Sequence, residues 1–207
     1  RGPLAAFLPK PGWYLTDDFS DRAKWRFPPG PQSVIQGRSY LVIWADGETA
    51  EGPLHASFRL SGDGESLGLL RDDGVTWADS LSFGAQSDDI SFGRSPDGGS
   101  TWKFFTSPTP GLANGEGYGG YSAPPFCSLP SGFYAPPVQV ILQAPSPGAR
   151  VHYTLDGSDP SETSALAAGP VTLDETAVLR AIALEEGMLP SAVVTRTDAT
   201  WPNAWTP

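Results

Sequence analysis

Hydrophobic and polar positions alternate along this chain with a period near two, in short runs cut off by turn residues. That pattern predicts β-strands rather than amphipathic helices. Residues 39–44 (Ser39, Tyr40, Leu41, Val42, Ile43, Trp44) form an aromatic and β-branched run that stops at a turn. Residues 57–60 alternate through Ser57, Phe58, Arg59 and Leu60. Residues 66–70 lead into Asp72, Asp73 and Gly74, and residues 77–83 give another short strand. Farther on, residues 138–142 and 151–155 are strand-like, separated by Pro145, Ser146, Pro147 and Gly148. Residues 171–186 fit two descriptions: their freedom from Gly and Pro, with Ala177, Leu179, Ala181 and Ala183, suits a helix. Alternation with Arg180 and Ile182 suits a strand, and periodicity leaves both open.

The punctuation between runs is specific. Five Asp-Gly pairs occur, at Asp46-Gly47, Asp63-Gly64, Asp73-Gly74, Asp97-Gly98 and Asp156-Gly157, and both residue types tolerate the positive φ of tight turns. A change of texture follows between residues 108 and 130, where Gly115, Gly117, Gly119, Gly120, Pro124 and Pro125 crowd together. Such a stretch is expected to act as a linker without a regular ladder. The boundaries expected from this are a first module over 1–114, a linker over 115–131, a second module over 132–198 and a Trp-containing tail over 199–207.

Composition narrows the class. The 207 residues include 24 Gly and 22 Pro, which disfavours long helices, while 7 Trp, 10 Phe and 6 Tyr supply a packable core. No apolar run approaches the ~20 residues that a membrane-spanning helix needs. The net charge of −10 argues against a nucleic-acid partner, since phosphate contacts need clustered Lys and Arg. Residues 116–207 hold only three basic side chains (Arg150, Arg180, Arg196), and the acidic balance reads as a solvated surface. Cys127 is the single cysteine, so no intrachain disulfide forms, and with His55 and His152 it cannot build a structural zinc site from one chain. The chain opens on Arg1, as expected of a fragment or a processed product.

Candidate chemistry weighs against catalysis. Asp17-Asp18, Asp72-Asp73 and Asp88-Asp89 are paired acids, but neighbours on a strand point to opposite faces, and none fits an EF-hand loop. They are expected to cap turns. His152, between Val151 and Tyr153, reads as a packed strand histidine, because no nucleophile motif accompanies it. His55 reads as structural as well. Cys127 is expected to be a small buried hydrophobe, with an intermolecular bond as the alternative. Neither catalytic residues, cofactors nor metal ligands are assigned. Trp201 and Trp205 lie in an apolar tail that should dock onto something.

Two stretches resemble known families. Gly12 to Asp18, Trp25-Arg26-Phe27-Pro28, residues 40–47, residues 54–61, Phe83-Gly84-Ala85-Gln86, Phe92-Gly93-Arg94 and residues 108–114 together resemble a bacterial extracellular lamin-tail domain, which implies an immunoglobulin-like β-sandwich. Trp13, Trp25, Trp44 and Trp102 fall on positions of that pattern, which implies core roles. Gly132-Phe133-Tyr134, residues 151–160, residues 179–183, Gly187, Pro190 and Ser191 resemble the C-terminal domain of chitobiases and related hexosaminidases; this second resemblance implies a strand at 179–183. The first departs from its family at the N-terminus. Only eleven residues precede Gly12, so the sandwich is expected to lack its opening strands and to expose backbone edges.

The expected fold is all-β, with two immunoglobulin-like β-sandwich modules in tandem. The expected function is non-catalytic: a structural or assembly module of a bacterial surface or secreted protein, polymerising by strand addition, with Leu4, Phe7, Leu8, Trp201 and Trp205 as exchange residues. Its partners would be other copies of itself or neighbouring surface-protein domains, and its place the cell exterior or surface. The alternative is a carbohydrate-binding accessory module of a larger secreted protein, with polysaccharide as partner. An enzyme with an unrecognised site is the third class, since fold resemblance alone does not exclude it.

Overall fold

The computed structural model describes residues 12–200, with side chains described through residue 197. Among these residues the chain is nearly all β, as its alternation predicts, with one 3-10 turn at Pro31–Ser33. It divides into two compact units, one comprising residues up to 101 with 105–116, the other residues 102–104 with those from 117 onward. The proposed exchange residues Leu4, Phe7, Leu8, Trp201 and Trp205 lie outside the described residues.

In the first unit, β1 (Tyr14–Thr16), β2 (Trp25–Arg26), β3 (Glu65–Leu70) and β4 (Trp77–Phe83) form an antiparallel sheet in the order β2-β1-β3-β4. Trp25, Leu15 and Leu69 stand opposite one another across three strands, and that row faces the core. Trp13, Trp25, Phe27, Ala56 and Phe58 form its buried centre. Trp25 and Phe27 meet at 4.8 Å between centroids with rings tilted by 60°, an edge-on contact that aromatic quadrupoles favour. Burial of each large side chain contributes about 1.5–3 kcal/mol. β5 (Ser91–Arg94) follows in this unit, whereas β6 (Trp102–Phe105) has residues 102–104 in the second unit. The chain turns back after β5 through backbone bonds from Ser95 N–H to Thr101 O and from Gly99 N–H to Pro96 O.

Two expected strands of this unit are not regular strands. Residues 39–44 and 57–60 contribute only isolated bridges, Trp44 with His55 and Asp46 with Arg59. The chain turns at Asp46-Gly47 and again at Gly52-Pro53, where Pro53 has no N–H to donate, so no ladder extends past one step. Residues 41–45 nevertheless keep the strand parity: Leu41, Ile43 and Ala45 pack on the core, and the intervening Trp44 is turned outward. Trp44 is 57% exposed, which corrects the core role implied for it. The glycines of all five Asp-Gly pairs have positive φ, between 65° at Gly74 and 98° at Gly64, as the turn reading predicts.

The second unit is a sandwich. A five-stranded sheet runs β12 (Ala165–Leu166), β11 (Arg150–Thr154), β14 (Ala177–Leu184), β15 (Val194–Thr200), β8 (Gly132–Tyr134), with β15 and β8 parallel and the other pairs antiparallel. Two short sheets complete it: β13 (Val171–Leu173) with β9 (Val138–Val140), and β10 (Leu142–Gln143) with β7 (Phe126–Cys127). Val151 of β11 and Ala177, Leu179 and Ala181 of β14 meet Val140, Leu142, Val171, Leu173 and Cys127 in one buried cluster. Residues 171–186 are therefore two strands, because alternate positions of β14 must face this cluster and helical propensity is too weak to oppose it. Residues 138–142 split between β9 and β10, which pair with different partners.

Part of the Gly/Pro-rich stretch is built into this unit. Tyr118 bridges Phe104, Tyr121 bridges Leu189, the Ser122 N–H donates to Leu189 O, and Phe126–Cys127 is a strand. Its backbone groups are satisfied piecemeal rather than by a continuous ladder.

Candidate functional site

The first unit carries an open groove of about 460 Å³, within the range of small-ligand sites. Residues 40–43 form one wall, and Arg94, Asp97, Gly98 and residues 109–112 with Asn114 form the rest. The wall is unusual in its backbone: among the described residues, residues 40–43 have no hydrogen-bond partner for their peptide groups. The polar rim is internally bonded. The Tyr40 hydroxyl donates to Asp97 Oδ2, and this bond raises the phenol above its ordinary range. Asp97 also accepts from the Asn114 N–H, while the Asn114 amide donates to Arg94 O at 2.9 Å and its Oδ1 accepts from Thr109. Arg94 binds Asp79 and donates to Gly99 O at 2.6 Å. Tyr40 and Leu112 stay exposed beside this rim.

A second cluster sits on the loop between residues 44 and 59 of the same unit. Asp46, Glu51 and His55 bring one donor atom each within 4.8 Å of one another. The His55 Nδ1–H donates to Asp46 Oδ2 at 2.7 Å, and Glu51 Oε2 lies 4.0 Å from the same nitrogen. Asp46 is fixed from behind by the Glu48 N–H on Oδ1, which with His55 holds its carboxyl below the usual carboxylate range. The loop closes through Trp44 N–H to Leu54 O and Ala56 N–H to Trp44 O, and the Trp44 ring stacks on His55 at 6.1 Å with planes 16° apart. Arg59 anchors the far side through Glu48 and the Asp46 carbonyl. His55 holds the loop together, in keeping with a structural role, but its convergence with Asp46 and Glu51 was not foreseen from the sequence. The cluster's members are spaced five and four residues apart across two turns, a spacing without a motif; only Asp46-Gly47 marked the place.

The other titratable candidates are structural. Asp18 accepts from Ser20 and Asp156 from Ser158, in each case through the hydroxyl and the N–H, and both carboxyls are lowered by these bonds. Asp73 accepts from the Thr76 hydroxyl and from the N–H groups of Thr76 and Val75, and is lowered to about 2. Asp17 pairs with Lys24 at 2.6 Å, which raises the ammonium. His152 is buried with Nδ1 3.0 Å from Ser164 O, and Cys127 is buried with its thiol directed at Leu129 O.

In the second unit the exposed apolar side chains sit on the outer faces and edges. Phe133 on edge strand β8 is 73% exposed, and Phe126 on β7 shares an outer face with Gln143, its cross-strand partner. Exposed rings of this kind are surfaces on which a sugar or another apolar face can rest.

Comparison with known proteins returns no match among curated proteins and none among solved structures. Residues 129–195, about a third of the chain, match the family model of the chitobiase/beta-hexosaminidase C-terminal domain. The matched segment runs from the residues just before β8 to the beginning of β15, so it covers β8 to β14 of the second unit and leaves out β7 and most of β15.

Proposed function

We propose that this chain is a non-catalytic accessory part of a larger secreted or surface-displayed bacterial protein that works on carbohydrate. The observation that carries this reading is the match of residues 129–195 to a domain that accompanies glycosidases at their C-terminus. The first unit is read as a lamin-tail-like β-sandwich that adds surface area and fixed geometry. Exposed aromatic side chains support the carbohydrate reading: Trp44, Phe126 and Phe133 are each more than half exposed, and surface rings stack on pyranose faces. The test is depletion of the purified chain from solution by insoluble chitin, cellulose, xylan and peptidoglycan. Retention on at least one, weakened by Trp44→Ala or Phe133→Ala, is expected; no retention on any of them refutes the reading.

A second reading, assembly by strand addition onto copies of itself or a neighbouring domain, is favoured by one specific observation. Residues 40–43 alternate inward and outward like a strand yet leave their peptide groups unpartnered among the described residues, beside an open groove. Light scattering over a concentration series separates the two: growth of defined oligomers supports assembly, and a monomer at all concentrations removes it.

A further inference from the structure

We infer that Asp46, Glu51 and His55 form a site for a divalent transition-metal ion of the zinc type. Three donors of two kinds converge on one point: an imidazole nitrogen and two carboxylate oxygens, all within 4.8 Å. Mixed nitrogen and oxygen donors suit borderline ions such as Zn²⁺, whereas Ca²⁺ and Mg²⁺ take oxygen sets. The charge is unbalanced in the same direction. Two carboxylates face a single imidazole, and the nearby Arg59 is turned away to Glu48 and the Asp46 carbonyl. Glu51, 66% exposed at its side chain, points its Oε2 towards His55.

Closing the site requires Asp46 to draw back and the exposed Glu51 side chain to move inward. Zn–N and Zn–O bonds of about 2.0–2.2 Å in a tetrahedron place donors about 3.3 Å apart. The present separations from His55 Nδ1 are 2.7 Å to Asp46 and 4.0 Å to Glu51, one slightly short and one slightly long. Metal bound at Nδ1 takes the place of the hydrogen bond to Asp46 and leaves the ring proton on Nε2. The Glu48 N–H on Asp46 Oδ1 orients the carboxylate from outside, the role that outer partners play around metal ligands. Water fills the fourth position, because Asp46 and Glu51 are reached by solvent.

This inference stands apart from the carbohydrate reading and is tested without any glycan. Calorimetric titration of the whole chain with ZnCl₂ at pH 7.5, without chelating buffer, is expected to show one equivalent bound, and Co²⁺ in its place to give visible d–d bands. Glu51→Gln changes an exposed side chain and leaves the fold alone; it is expected to weaken Zn²⁺ at least tenfold, and His55→Ala to abolish the equivalent. Stacked Trp44 reports locally, its fluorescence changing on Co²⁺ addition in the wild type and not in His55→Ala. Absence of saturable binding up to millimolar zinc overturns the site. So does unchanged binding by either variant, which would send the ion to the other histidine, His152, or to scattered carboxylates.

Discussion

Leu179→Ala tests the sandwich of the second unit at its centre. Leu179 is fully buried on β14, midway between Ala177 and Ala181, and it faces β9, β10 and β13 through Val140, Leu142, Val171 and Leu173. Its neighbours along the strand are alanines, too small to move into the space that it would leave. Leu→Ala substitutions at such sites cost about 2–5 kcal/mol, with the larger values where the cavity cannot collapse. About 3 kcal/mol is the expected loss here. Amide hydrogen exchange reads it locally: at tenfold per 1.4 kcal/mol, protection of the β11 and β14 amides should fall by about two orders of magnitude. In a domain of this size the same loss lowers the thermal midpoint of that unit by about 10–20 °C. Phe133→Ala, at an exposed edge position, is the control and should stay within about 0.5 kcal/mol. A loss below about 1 kcal/mol for Leu179→Ala would refute the packing described.

Two further substitutions examine the turns of the first unit. Gly64→Ala should destabilise by about 1–3 kcal/mol, measured as a lower urea midpoint with lost protection in β3 and β4. Gly64 has φ of 98°, and an added Cβ would come within 2.6 Å of the Phe83 carbonyl oxygen, so the usual entropic gain of Gly→Ala is reversed. Asp73→Asn should flatten the acid limb of stability. The folded carboxyl is lowered to about 2 from 3.8, so its contribution is complete above about pH 4 and is lost as pH falls towards 2. Urea midpoints at pH 6, 3 and 2 should fall less steeply in the variant than in the wild type, and equal slopes would contradict the assignment.

What the sequence disclosed follows from what is local. Asp-Gly turns depend on two adjacent residues, and all five adopt the backbone expected of them. The β reading of 151–155 rests on alternation, which survives in the buried cluster. At 171–186 a run of Ala and Leu satisfies either period, so the residues left helix and strand open. The chitobiase-type resemblance implied a strand at 179–183, and packing against the core makes two strands of the run. Residues 39–44 show the limit. Their parity was legible and is kept by Leu41, Ile43 and Ala45, but a ladder needs partners, and two turns within ten residues leave one bridge. The core role expected of Trp44 came from the lamin-tail resemblance alone, and the parity of Leu41, Ile43 and Ala45 turns it outward instead. The Asp46, Glu51 and His55 cluster depends on how that loop folds over itself, and no spacing rule encodes such a closure.

The proposed role is that of a non-catalytic accessory part of a carbohydrate-active protein. A depletion isotherm on insoluble chitin, with soluble chitooligosaccharide as competitor, tests it most directly. Saturable retention that the competitor releases and that Phe133→Ala or Trp44→Ala weakens is the predicted result. Retention no greater than that of an unrelated acidic protein, on chitin and on cellulose, xylan and peptidoglycan alike, would contradict it.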